Sequence, residues 1–130
     1  MIRIDYDKAS DALKNINLKD FPLVDYYIGY DDCYMNNDWI RYTIFYNDLD
    51  IPVAVIAKRL PVQEVEHILI VEVNNTMRHL GFGKELLLEY MKTNPYWELF
   101  SVENAEGFYK KLGFKKDKSS ELFYYGYELS

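Results

Sequence analysis

The chain has 130 residues, of which 21 are acidic and 15 basic, and it carries a single cysteine. That length fits one domain spanning residues 1–130, one cysteine excludes an intrachain disulfide, and a formal charge of −6 argues against nucleic acid as the main partner, because phosphate binding needs clustered Lys and Arg. A hydrophobic content of 49% is too high for a disordered chain, no run is apolar enough to span a bilayer, and Met1–Lys8 lacks the apolar stretch of a signal peptide, so a cytoplasmic protein with no membrane partner is expected.

Ile2–Asp5 reads as a first short strand. Ser10–Asn17 reads as a short helix with Ser10 as its N-cap and Ala12, Leu13 and Ile16 on its apolar side. Phe21–Asn37 fits no single period and is expected to hold a short helix and a loop. Trp39–Tyr46 and Pro52–Lys58 are rich in β-branched and aromatic residues and flank the turn chemistry of Asn47–Asp50, which predicts an antiparallel hairpin. Val65–Val73 follows as a longer strand. Its run Ile68–Val71 is apolar on both faces, which places it mid-sheet under helices on both sides. Simple alternation puts His67, Leu69, Val71 and Val73 on one face, and Glu66, Ile68, Ile70 and Glu72 on the other.

Beyond Asn74–Thr76, a helix is expected with Leu86, Leu87, Tyr90 and Met91 on one face, stopped at Asn94-Pro95. Trp97–Val102 reads as a strand. Asn104–Leu112 reads as a helix with Gly113 at its C-terminal cap, and Phe114 and Leu122–Leu129 close the sheet. The fold class is therefore α/β (α+β): a mixed, mostly antiparallel sheet with a parallel step in the middle, flanked by helices.

The chemistry concentrates after Val73. A strand leads into Arg78-His79-Leu80-Gly81-Phe82-Gly83-Lys84 and then into a helix. Without Cβ atoms, Gly81 and Gly83 let the backbone approach a ligand closely, and the helix start adds partial positive charge. Such a unit holds a diphosphate, with Arg78 as a charge-assisted donor. Downstream stands a second constellation, Ala105, Phe108-Tyr109, Lys111 and Leu112-Gly113-Phe114.

Together, Arg78-x-x-Gly81-x-Gly83 and this second run resemble the two cofactor motifs of the GCN5-related N-acetyltransferase (GNAT) family, in order and in separation. The resemblance covers Trp39–Phe114. It implies acetyl-CoA as co-substrate, a central strand splayed from its parallel neighbour, and pantetheine pairing with the backbone of Val71–Val73. It also implies contacts from Arg78, His79, Gly81, Phe82, Gly83, Lys84, Asn104 and Phe108. Tyr109 matches the tyrosine that lies beside the CoA thiol and is the expected acid. His67 stands eleven residues ahead of Arg78, where the histone-modifying branch carries its glutamate base; His67 is thus either a base or a core histidine. Glu72, at the mouth of the turn, is the alternative for orienting the amine.

Departures remain. The family's second motif carries Asn seven residues before its tyrosine, where this chain has Val102, and Asn104 either reaches CoA or caps the helix. His79 either faces phosphate or sits exposed in the turn. No metal-ligand spacing is present. Cys33 carries no motif, and the Lys110–Lys118 run reads as a solvated face. The acceptor loop is expected within Phe21–Trp39, where Asp31, Asp32 and Asp38 either form a solvated acidic loop or, with nearby tyrosines, suit a cationic amine on a small molecule or peptide. A homodimer stays open. The rival readings are a silent CoA-binding or interaction module of the same fold, and a doubly wound dinucleotide binder. The latter is disfavoured because the Gly-rich turn follows an antiparallel hairpin.

Overall fold

The computed structural model describes residues 1–32, 34 and 37–129, so Cys33 lies outside the described residues. In chain order the elements are β1 (Ile2–Tyr6), α1 (Ala9–Leu13), α2 (Pro22–Tyr30), β2 (Ile40–Tyr46), β3 (Pro52–Val62), β4 (Val65–Val73), α3 (Gly83–Met91), β5 (Trp97–Leu99), α4 (Glu106–Leu112), β6 (Lys115–Lys116) and β7 (Phe123–Tyr125). All strands join one seven-stranded sheet in the order β1-β2-β3-β4-β5-β7-β6. Every pairing is antiparallel except β4 with β5. This is the mixed sheet with a central parallel pair that the sequence predicts.

The strands with the most continuous apolar runs are buried on both faces. One core holds Ile56, Leu87, Tyr90, Trp97 and Phe123, with α3 and α4 over it. The other holds Phe21, Val24, Tyr42, Ile44 and Val55, with α1 and α2 over it. The β2–β3 hairpin forms as expected. The Asn47 side-chain oxygen accepts the Leu49 and Ile51 N–H groups at 2.9 and 3.0 Å, and Asp50 takes φ +60° to close the turn.

Alternation fails inside β4, and the face assignment is corrected. Ala57 pairs with Ile70 while the next residue, Lys58, pairs with Ile68, so Leu69 is an extra residue in a β-bulge. Ahead of the bulge, Ile68 faces the α3–α4 core. After it, Val71 and Val73 share that face, while Ile70 belongs to the α1–α2 core. Glu72 thus points toward α2, opposite to Val71 and Val73 but on the opposite face from Glu66 and Ile68 as well.

Other boundaries also move. The first helix begins at Ala9 behind Lys8, so Ser10 is not its cap. β5 stops at Leu99 rather than Val102, β7 is confined to Phe123–Tyr125, and a 3-10 turn at Glu103–Ala105 precedes α4. Asn104 lies inside that turn and makes no side-chain cap to it or to α4.

Candidate functional site

The shortness of β5 opens the sheet. β4 and β5 pair only through Glu66–Ile68 and Trp97–Leu99. Beyond that, β4 runs on to Val73 paired with β3 but with no strand on its β5 side among the described residues. The Asn74 N–H bonds the Val53 carbonyl at 2.7 Å, toward β3. Alternation therefore aims the backbone groups of Glu72 toward β3 as well, and turns those of Val71 and Val73 toward the gap.

At the end of β4 the chain makes a 3-10 turn, Arg78–Leu80, which ends at Gly81 with φ +75°. That left-handed conformation is what requires glycine there. α3 follows with no side-chain cap, and its first backbone bond runs from the Leu86 N–H to the Phe82 carbonyl at 3.0 Å. The amides of Gly83, Lys84 and Glu85 thus lack intrahelical acceptors, and the helix dipole adds positive potential at the same point. A Cβ at Gly83 would stand 3.6 Å from the Phe108 ring and 3.7 Å from a Val73 methyl, an ordinary packing distance. The protein itself does not demand glycine at that position; a side chain there would instead fill the space above the free amides.

These features meet in a cleft of about 560 Å³. It is lined by Val71, Glu72 and Val73 from β4, by Arg78, Gly81, Gly83 and Lys84 from the turn and α3, and by Asn104, Phe108 and Tyr109 from the α4 side. Leu23, Val102 and Ala105 complete the wall. Leu23 went unnoticed in the sequence because its segment has no period, and only the packing of α2 on β4 brings it here. Phe82 does not line the cleft. It packs on the α3–α4 core. The backbone of His79 lies in the 3-10 turn, and its side chain is outside what the structure describes.

Tyr109 is buried, edge-on to Phe108 at 5.2 Å and to Phe114 at 5.6 Å. Burial, with Tyr27 adding to it, pushes its hydroxyl up to about 12. It therefore keeps its proton at neutral pH and can donate it or a hydrogen bond.

No protein-family model and no curated protein matches the sequence. Solved structures do match in shape. A candidate N-acetyltransferase from Lactobacillus plantarum superposes with a TM-score of 0.70 over 95% of this chain and 93% of its own, at 16% identity. GCN5 from Tetrahymena gives 0.64 over 89% and 86%, also at 16%. A candidate streptothricin acetyltransferase from Bacillus anthracis, solved in complex with acetyl coenzyme A, gives 0.55 over 75% and 68%, at 18%. Against a GNAT-family acetyltransferase from Staphylococcus aureus Mu50, the chain spans 66% of that protein's length. The chain has the GCN5-related N-acetyltransferase fold.

Within this GNAT fold, the two remaining candidates occupy different environments. His67 does not line the cleft. Its Nδ1 lies 3.3 Å from Glu98 Oε1, outside hydrogen-bond geometry, and its ring packs at 5.8 Å on Phe100. Burial pulls its proton affinity below the ordinary imidazole value and Arg59 adds to this, while Glu98 opposes. Glu72 lines the cleft, but its carboxylate is fully engaged. Oε1 accepts the Val24 N–H at 2.8 Å, and Oε2 accepts the Leu23 N–H at 2.8 Å and Arg78 Nη2 at 3.1 Å. Burial raises its proton affinity against the opposing pull of those donors. Among the described residues, no three His, Cys, Asp or Glu side chains are grouped to hold a metal ion. No described helix is long and apolar enough to cross a membrane.

Proposed function

We propose that the protein transfers an acetyl group from acetyl-CoA to a primary amine. The observation that carries this reading is the meeting, in one cleft, of an uncapped helix start, a strand end with backbone groups turned outward, and a protonated tyrosine. The free amides at Gly83–Glu85, with Arg78 and Lys84, suit the diphosphate. Val71 and Val73 offer strand-like pairing to the pantetheine amides.

The amine nitrogen bonds to the thioester carbonyl carbon, the carbon–sulfur bond breaks, and the amine loses a proton. A backbone N–H from the splayed end of β4 steadies the carbonyl oxygen as it gains charge. Tyr109 gives its proton, or a hydrogen bond, to the leaving sulfur. With Glu72 engaged and His67 outside the cleft, the proton leaving the amine goes to water.

The lack of a free base on the cleft wall among the described residues also favours a second reading, a silent module that binds CoA without turnover. Calorimetric titration with acetyl-CoA, followed by thiol release across a panel of amines, tests both. Micromolar binding with thiol release on at least one amine supports the transferase. Binding without release on any amine supports the silent module, and no binding overturns both.

A further inference from the structure

The α1–α2 side of the cleft hangs on one side chain. Glu72 is buried, and its carboxylate does two jobs. It accepts the N–H groups of Leu23 and Val24, forty-nine and forty-eight residues earlier in the chain. Those are first-turn amides of α2, whose N-cap, Phe21, offers no side-chain acceptor. The same carboxylate also holds Arg78 Nη2, while Arg78 Nε lies 3.4 Å from the Val73 carbonyl. The Arg78 side chain is 55% exposed, so the rest of its donor fork is left for a ligand.

We propose that Glu72 is a positioning residue that couples the two halves of the cleft: a diphosphate gripped by Arg78 tightens the start of α2, whose Leu23 forms the opposite wall. The inference rests on the acetyl-CoA reading above. The physical basis is that both ends share one buried anion. A guanidinium fixed by a diphosphate loses its freedom to leave Glu72, and a carboxylate held on that side is held more firmly for the Leu23 and Val24 amides. Arg78 and the two amides are all donors and cannot bond one another directly, and Phe21, the N-cap of α2, offers these amides no other side-chain acceptor in the described structure.

Amide hydrogen exchange at Leu23 and Val24 reads the coupling directly, without an identified acceptor. Saturating CoA should slow exchange of both amides by about 5-fold or more, the lower end of ordinary coupling between sites. Pantetheine, which lacks the diphosphate, should leave them unchanged. Arg78→Ala, brought to the same CoA occupancy as judged by calorimetry, should also leave them unchanged. Glu72→Gln keeps the side chain's size but not its charge, and should abolish the response while retaining the fold. A β2 amide such as that of Ile44 reports any general stabilisation and is subtracted. A cap with a purely structural role predicts no CoA response at α2, or an equal response in Arg78→Ala, and either result overturns the coupling while leaving the transferase reading intact. Failure of CoA to bind at all overturns that reading and the coupling with it.

Discussion

His67 and Glu98 face each other across the parallel register of β4 and β5, with Nδ1 and Oε1 3.3 Å apart. Burial outweighs the carboxylate, so the folded state binds a proton at His67 more weakly than the unfolded chain does at its ordinary 6.5. The unfolded state therefore takes up more protons as the pH falls. His67 contributes stability above that value and loses it as the pH drops through it toward the lower folded-state value. Denaturant unfolding between pH 8 and pH 5, on the order of the ordinary imidazole range, should show the wild type losing stability more steeply than His67→Gln. Parallel pH profiles would remove His67 as the titrating group.

Tyr109→Phe deletes one hydroxyl from the cleft and leaves the ring contacts with Phe108 and Phe114 in place. Turnover on a productive amine should fall about 100-fold, the lower range for a positioned proton donor. The KM for acetyl-CoA should hardly change, and so should the melting temperature. Steady-state kinetics separate the two quantities. Undiminished turnover would place sulfur protonation elsewhere.

Gly83 and Gly81 predict opposite signatures. A Cβ at Gly83 meets only ordinary contacts, so Gly83→Ala should fold normally yet bind acetyl-CoA more weakly, a tenfold loss being an effect of about 1.4 kcal/mol. At Gly81 the backbone itself is the constraint, with φ +75°. Gly81→Ala should cost about 1 kcal/mol of stability. Calorimetry and chemical denaturation on the same pair of variants check both statements.

Gly126 lies against Pro95 so tightly that a Cβ would stand 1.9 Å from the Pro95 carbonyl oxygen, and its φ is +89°. Gly126→Ala should destabilise by more than about 2 kcal/mol, since strain and overpacking add. Gly29, inside α2, has nothing within 4 Å of an added Cβ. Gly29→Ala should instead stabilise by about 0.5–1 kcal/mol. Equal effects of the two substitutions on urea unfolding would show that at least one of the two environments is not as described.

Lys58 and Glu66 form a partly buried ion pair at 2.7 Å, with Lys58 Nζ also 5.7 Å from the Trp97 ring centre. Glu66 Oε2 has no hydrogen-bond partner among the described residues. Lys58→Met should therefore cost about 3–5 kcal/mol by stranding the carboxylate, whereas Lys58→Met with Glu66→Leu should recover most of that loss. A double-mutant cycle on thermal unfolding measures the difference.

Local chemistry sufficed to read much of this protein from its residues. Alternating β-branched runs, the Asn47–Asp50 turn, the one-sided Leu86, Leu87, Tyr90 and Met91, and the Arg78–Gly83 spacing each state their own conformation, because period, turn type and helix stop depend on neighbours a few residues away. Tertiary packing decided the rest. The bulge at Leu69 comes from how β3 and β4 settle against two cores at once, and it moves His67 to the face opposite Val71 and separates Glu72 from Glu66 and Ile68. The early end of β5, which opens the cleft, and the capture of the Leu23 and Val24 amides by Glu72 join segments dozens of residues apart. No window along the chain contains both ends of such a contact, so no periodicity can announce it.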